Sequence, residues 1–220
     1  MMPTLRHQLL QFLVLPICCL AIFFVSCSGN NEASGEKAEA DSLVVDAPAV
    51  NEDSVINELS RDLLALLKEK DYTGLAPFVH PEAGVRFSPY GFIDTLHDRV
   101  FTREQLVQLA GSKDSARIHW GSYDGSGDSI YLTLPAYINK FVYDADFLRP
   151  GKVALDSVIG LGNSLNNLSA VYPNARFTES HFSGFDKKYS GMDWRSLRLV
   201  FQKKGNHFYL VGIVHDQWTS

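Results

Sequence analysis

The chain has 220 residues and a formal net charge of −5, which suits a single domain with a terminal extension. The mildly acidic balance and the lack of a basic cluster argue against nucleic acid as an electrostatic partner. Its 14 Phe, 9 Tyr and 3 Trp are enough apolar and aromatic surface to build a core.

Residues 1–27 have the order of a secretory signal. A basic start is followed by an apolar run from Leu9 to Val25, and the chain turns polar after Cys27. The run is short and ends abruptly for a transmembrane helix. The pair Ser26-Cys27 resembles the lipobox of bacterial lipoproteins, which implies removal of residues 1–26 and lipidation of Cys27. The alternatives are a plain secretory signal or an uncleaved anchor.

Removal of the signal would leave 194 residues with a net charge of −6, because one basic and no acidic residue is lost. Cys27 would then be the only cysteine, which excludes an internal disulfide, a thiolate nucleophile and a cysteine metal site. Residues 28–52 are rich in small and acidic side chains and have no aromatic residue, so they predict a disordered tether. The predicted organisation is a signal peptide at 1–26, a lipidated cysteine and tether at 27–52, and one α+β domain at 53–220.

The domain alternates between helical and extended patterns. Helices are predicted where leucines recur at helical spacing or where a capping residue precedes an apolar run. The predicted helices are 56–67 (capped by Asp53 or Ser54), 103–110 (with a capping box from Thr102 to Gln105) and 134–142 (capped by Thr133). The predicted strands, rich in β-branched and aromatic residues, are 84–90, 116–121, 129–132, 153–159, 175–183, 195–203 and 207–217.

The last two strands are joined by the turn Lys204-Gly205, which predicts a register. If these two residues form the loop, Asp193 faces Asp216, with Arg195 and Trp218 on the same face. Opposed carboxylates repel, and one of them can keep its proton in a dry site, whereas a neighbouring guanidinium favours both ionised forms. Three interpretations stay open: a structural ion network, the polar end of a ligand pocket, and a catalytic acid–base pair.

Two histidines complete the set of pocket candidates. Together with His119 they lie on different predicted strands, so His181 and His215 can converge with it, but no zinc-binding spacing accompanies the three. The chain has no phosphate-binding loop, no dinucleotide fingerprint and no nucleophile elbow. We therefore predict no metal and no cofactor.

Several stretches resemble a family of bacterial lipoproteins of unknown function, and that resemblance carries no catalytic residue. They are residues 85–90, 120–121, 124–128, 191–197 and 214–219. More distantly, an amphipathic helix, a short apolar helix and long C-terminal antiparallel strands resemble the NTF2-like (SnoaL, ketosteroid isomerase) superfamily. The resemblance implies an α+β fold in which the N-terminal helix packs on a curved antiparallel sheet, forming a cone with a pocket. Residues 91–170 are longer than a minimal fold of that type needs.

Three functions compete on this basis. The first, which we favour, is an envelope lipoprotein whose domain binds a small or apolar ligand, a glycan or a peptide. The second is a scaffolding lipoprotein that binds another envelope protein through an apolar patch. The third is a proton-transfer or hydrolytic enzyme that uses Asp193 and Asp216. In each case Cys27 holds the protein on a bacterial membrane, the outer membrane being favoured, and the sequence does not predict the oligomeric state.

Overall fold

The computed structural model describes residues 51–111, 116–163 and 165–219. The predicted signal peptide, Cys27 and the tether up to residue 50 lie outside the described residues. Within the described part of the chain, no helix is long and apolar enough to cross a membrane.

Helices form where the sequence places apolar stripes and capping residues. They are α1 (Glu52–Glu69), α2 (Tyr72–Leu75), α3 (Arg103–Gly111), α4 (Leu134–Phe141) and α5 (Leu168–Val171), with short 3-10 turns at Ala76–Phe78 and Lys187–Tyr189. The three predicted helices are confirmed. The capping box is present, since Thr102 N donates to Gln105 Oε1 and Gln105 N donates to Thr102 Oγ1. The predicted cap of α1, Asp53 or Ser54, was wrong by two or three residues, because the side chain of Asn51 accepts hydrogen bonds from the backbone N–H groups of both.

The strands follow the predicted segments, with shorter bounds at several ends. They are β1 (Val85–Ser88), β2 (Arg99–Phe101), β3 (Ile118–Ser122), β4 (Ser129–Leu132), β5 (Lys152–Leu155), β6 (Arg176–Phe182), β7 (Arg195–Lys204) and β8 (His207–Gln217). Among the described residues, β2 is the strand that the sequence pattern missed.

The strands form an α+β fold with an open mixed sheet, not a closed barrel. Six strands lie in the order β2-β1-β8-β7-β6-β5, and β3 and β4 pair separately. The expectation of a wholly antiparallel sheet was wrong at one position, because β1 runs parallel to β8. This pairing joins residues more than a hundred positions apart, so no local turn determines the relative direction of the two strands.

The register of the last hairpin differs from the predicted one. Lys204 pairs with His207, so the two loop residues are Gly205 and Asn206. Gly205 has φ +60°, in the left-handed region that such a turn requires. A second irregularity adds one residue to β8 next to Phe201.

The sheet is covered on both faces. One face carries Leu197, Leu199 and Phe201, which share the main core with apolar residues of α1 and α4. The opposite face carries Val200, Val211 and Val214, which form a smaller core with Ile93 and Leu168. Because the hairpin shift changes which side chains meet across β7 and β8, it also decides which polar groups are buried together.

Candidate functional site

The predicted pair Asp193 and Asp216 does not exist. Ser196 lies opposite Asp216 in the sheet, and Asp193 precedes β7, in the turn that joins it to β6. The Asp193 carboxylate accepts hydrogen bonds from the backbone N–H groups of Phe185 (3.0 Å) and Asp186 (2.8 Å). Burial opposes its ionisation, but these N–H groups hold the pKa of Asp193 below its ordinary value. Asp193 therefore caps a turn.

Arg195 and His215 converge instead on Asp144, a residue that the sequence did not single out. Arg195 Nε donates to Asp144 Oδ2 at 2.8 Å, and His215 Nε2 lies 3.2 Å from Asp144 Oδ1. His215 is fully buried, and its Nδ1 lies 3.2 Å from the carbonyl oxygen of Pro89. Burial opposes ionisation of Asp144, but His215 and Arg195 hold its pKa below the ordinary value. These contacts tie β7 and β8 to the segment after α4.

Asp216 belongs to a buried ion network on the second face of the sheet. Arg198, which has no exposed surface, donates through Nε to Glu179 Oε2 at 2.8 Å and through Nη2 to Asp216 Oδ2 at 2.9 Å. Burial disfavours the charge on Glu179, yet Arg198 and further hydrogen bonds lower its pKa. Burial raises the pKa of Asp216, with Arg198 opposing the rise. Of the three predicted interpretations, the structural ion network fits this geometry best.

The remaining candidates lie beside this network or on the surface. His181 Nδ1 is 2.8 Å from Ser196 Oγ, which donates to Glu179 Oε1 at 2.5 Å. Burial lowers the pKa of His181, so its neutral form is favoured. Trp218 is 40 % exposed and stands outside the network.

An open cavity of about 510 Å³ lies elsewhere, between the end of β1 and the β3–β4 hairpin. Its walls come from four separate parts of the chain, which only the tertiary fold brings together. The lining residues are Pro89, Tyr90, Phe92, Asp94, Asp98, Gly121, Ser122, Tyr123, Asp124, Asn163, Leu165 and Thr219. We call this cavity the Asp98 pocket.

Asp98 is the buried carboxyl group of this pocket, with 8 % of its surface exposed. Its Oδ2 accepts hydrogen bonds from Ser88 Oγ at 2.5 Å and from Asp94 N at 3.0 Å. Burial raises the pKa of Asp98 to about 7, and these two hydrogen bonds limit the rise. A carboxyl group that titrates near neutral pH beside a cavity is a recognised mark of a functional site.

Aromatic and apolar side chains form the rest of the wall. Tyr90 and Tyr123 are partly buried there, whereas Phe92 and Leu165 are 49 % and 76 % exposed at the rim. Burial raises the pKa of Tyr90. The pocket therefore combines ring surfaces with a few polar groups, the usual composition of a small-molecule site.

The sequence did not single out Asp98. It lies in residues 91–100, where no regular periodicity is present, and its pocket needs partners up to Thr219. The sequence signal that could have indicated this pocket was the pair Asp94 and Asp98 between aromatic residues. That pattern by itself is equally typical of a polar surface loop. Across the described residues, no group of three His, Cys, Asp or Glu side chains is placed to hold a metal ion.

Comparison with known proteins gave no match to a family model, to a curated protein or to a solved structure. The resemblances to bacterial lipoproteins and to the NTF2-like superfamily therefore stay predictions from the sequence.

Proposed function

We propose that this protein is a membrane-anchored envelope lipoprotein whose globular domain binds a small ligand in the Asp98 pocket. One observation carries the proposal: a cavity of about 510 Å³ with aromatic walls and a buried carboxyl group beside it. That volume is in the range of ordinary small-molecule sites. Five sequence-based candidates form structural contacts and are not among the described residues that line the pocket: Asp193, Arg195, Asp216, His181 and His215.

An NTF2-like cone would account for a pocket at this position. Two contacts support such packing of α1 on the sheet: Ile56 and Leu63 share the main core with Leu199, and Ser60 Oγ lies 2.6 Å from Thr178 Oγ1 of β6. In this proposal the N-terminal helix covers one face of the sheet, and the ligand enters beside the end of β1.

Lipidation of Cys27 would determine where in the cell the domain is located. Lipid chains on Cys27 would hold the protein at a bacterial membrane, the outer membrane in our proposal, and residues 27–52 would separate the domain from the lipid surface. The ligand would then be a molecule of the envelope or of the medium.

Native mass spectrometry of the full-length protein, purified from its own host, tests the binding function. We expect a bound small molecule that is absent from Ser122→Trp, because Ser122 lines the pocket and a bulky side chain there fills it. Ser54→Trp, at an exposed position of α1 outside the pocket, is the matched control and should retain the molecule. An apo mass for the unaltered protein, or a ligand that survives Ser122→Trp, would contradict the proposal.

A proton-transfer or hydrolytic enzyme is the second candidate, and Asp98 favours it. A carboxyl group whose pKa is raised to about 7 can both donate and accept a proton at neutral pH. Asp193 and Asp216, which the sequence suggested as the catalytic pair, do not lie together, so this candidate now depends on Asp98. Turnover of the molecule found by mass spectrometry, lost in Asp98→Asn, would favour the enzyme over a binding module.

Scaffolding is the third candidate. Phe185, Tyr189 and Met192, in the turn before β7, are 57 %, 46 % and 50 % exposed. An apolar group of this kind suits contact with another envelope protein. Cross-linking from position 189 in cells would favour this function if it captured one defined envelope protein and the pocket proved empty.

A further inference from the structure

We propose that the Asp98 pocket takes an organic cation, an ammonium group carried on a small apolar or aromatic body. This inference rests on the proposed binding function and names the chemical class of its ligand.

The charged side chains among the described residues that line the pocket are all acidic, and one cation, Lys140, borders the wall at Tyr123. Asp94, Asp98 and Asp124 contribute carboxyl groups, and no Lys, Arg or His is among the described residues that line it. Above about pH 7, where Asp98 is mostly ionised, an anion would meet three like charges here, so the wall selects against carboxylates and phosphates.

The three carboxyl groups differ in the hydrogen-bond and ion-pair partners that the protein itself supplies. Asp94 lies 2.6 Å from the ring Nδ1 of His97 and accepts two backbone N–H groups. Asp124 accepts a hydrogen bond from Thr219 Oγ1 at 2.6 Å. Asp98, by contrast, forms no ion pair with any described residue, and its hydrogen bonds within the described chain all go to Oδ2. Asp98 is 8 % exposed, and among the described residues none donates a hydrogen bond to its Oδ1, which is not fully buried and borders the cavity.

The positive charge of Arg86 opposes the rise in the pKa of Asp98, but its guanidinium forms no ion pair with that carboxyl. Arg86 Nη1 donates to the backbone oxygens of Thr95 (3.4 Å) and Asp98 (3.3 Å), not to the Asp98 carboxyl. Removing a carboxylate from water is costly unless a partner of opposite charge or several donors replace the water. A ligand ammonium would be that missing partner.

The aromatic wall suits the same ligand. The rings of Tyr90, Phe92 and Tyr123 line the pocket, and the face of an aromatic ring attracts cations. Lys140 Nζ already lies 4.5 Å from the centre of the Tyr123 ring and donates a hydrogen bond to its hydroxyl, so we assign the ligand ammonium to Tyr90 and Phe92 instead. The exposed rim residues Phe92 and Leu165 are placed to cover the apolar body of the ligand.

Binding should depend on pH through Asp98. Four charged or titratable groups interact electrostatically with the Asp98 carboxyl: Asp94, Arg86, Tyr137 and Tyr172. Burial raises the pKa of Asp98 to about 7, so its carboxyl is mostly protonated at pH 5.5 and mostly ionised at pH 7.5. Affinity for a cation that stays charged over this range should rise roughly 20-fold between these two values, the ratio of the ionised fractions.

Three probes of one shape and different charge test the inference on the full-length protein. Phenethylamine is the cation, 2-phenylethanol is neutral and phenylacetate is the anion, and isothermal titration calorimetry at pH 7.5 measures their affinities. We expect phenethylamine to bind at least tenfold more tightly than 2-phenylethanol, and phenylacetate not to bind.

Asp98→Asn should lower the affinity for phenethylamine at least tenfold and change that for 2-phenylethanol less than twofold. Asp128→Asn removes the same charge from an exposed turn that does not line the pocket, and should change neither affinity more than twofold. Asp124→Asn, at a second carboxyl of the wall, should lower the affinity for phenethylamine about threefold, and serves if Asp98→Asn does not fold.

Equal binding of the cationic and neutral probes, or full affinity for phenethylamine in Asp98→Asn and Asp124→Asn, would overturn the inference. If phenethylamine does not bind but a neutral or anionic molecule co-purifies in the pocket, the cation is wrong and the binding function stands. If no probe binds and the native mass is that of the apo protein, both are wrong.

Discussion

Asp98 and Asp216 are both buried carboxyl groups whose pKa is raised by burial, yet their surroundings give them different roles. Asp216 shares the Arg198 guanidinium with Glu179, so its charge has a partner inside the protein. Asp98 has a hydroxyl and an N–H group as partners and borders a cavity. Burying an acid that has no ion-pair partner among the described residues costs stability, which is why we propose Asp98 as part of the functional site.

Asp98→Asn should stabilise the protein at neutral pH. The unfolded chain loses this proton near pH 3.8, and the folded protein keeps it until about pH 7, so stability falls as the pH rises between these values. An amide removes that penalty, and we expect a gain of about 2–4 kcal/mol at pH 7.5 that vanishes near pH 4. Urea unfolding at both pH values measures it. An equal effect at both values, or a loss at pH 7.5, would contradict the raised pKa.

Glu179→Gln should strongly destabilise the protein, because it leaves the Arg198 charge with one carboxyl partner in a buried site. Glu179 also accepts hydrogen bonds from Ser196 Oγ and from the N–H groups of Ile159 and Gly160. Breaking a buried pair of this kind costs about 3–5 kcal/mol. Thermal and urea unfolding measure the loss. Glu82→Gln, which removes a fully exposed carboxylate paired with Lys204, is the matched control and should leave the midpoint unchanged.

At the scale of elements, an irregular segment packs over the buried ion network of Glu179, Arg198 and Asp216. Residues 158–163, which we call the strap, cross the second face of the sheet without forming a helix or strand. The strap donates two backbone N–H groups to Glu179, and its Gly160 carbonyl accepts from Arg198 Nη2 at 3.0 Å. The close approach depends on glycine, since a Cβ at position 160 would meet Ser196 Oγ and lie 2.6 Å from Trp194 Cζ3.

Gly160→Ala should therefore lift the strap from the sheet. Overpacking of this type costs about 1–3 kcal/mol, and the two N–H groups that serve Glu179 would lose their alignment. Hydrogen exchange should show faster exchange of the N–H groups at positions 159 and 160, together with a lower unfolding midpoint. Gly111→Ala is the matched control, because a Cβ there meets no atom of the described residues within 4 Å. If the Gly160 variant kept its stability and its protection, close packing of the strap would not hold the network.

At the scale of the whole molecule, the pocket and the proposed anchor use separate parts of the sequence. The pocket uses residues from Pro89 to Thr219, whereas the proposed lipid site is Cys27. None of the described residues that line the pocket belongs to the proposed anchor or tether. We therefore expect a variant that loses the lipid anchor to keep ligand binding, and a variant with an altered pocket to keep the anchor.

Cys27→Ser should abolish lipidation and release the protein into the soluble fraction. The thiol of Cys27 is the group that would carry the lipid, and a hydroxyl does not replace it in this modification. Incorporation of labelled palmitate in cells, followed by membrane fractionation, measures both effects. Cys19→Ser, inside the apolar run, is the matched control and should leave labelling intact. Labelling that persists in Cys27→Ser would show that the proposed anchor is wrong, while ligand binding should be the same in both variants.

Local patterns in the sequence determined most of the elements. Thr102 and Gln105 form the predicted capping box, Thr133 caps α4, and β6, β7 and β8 lie close to their predicted bounds. Each of these features depends on residues within a few positions of one another, where propensity and capping act. The apolar alternation also predicted a core on the face that carries Leu197 and Leu199.

Only the tertiary structure decided the register and the site. A turn moved by one residue and one added residue in β8 separated Asp193 from Asp216 and placed Asp216 beside Arg198. The parallel pairing of β1 with β8 and the pocket at Asp98 join residues up to about 130 positions apart. Such contacts are selected by the total burial of apolar surface and the pairing of buried polar groups, which are properties of the folded chain and not of any short segment.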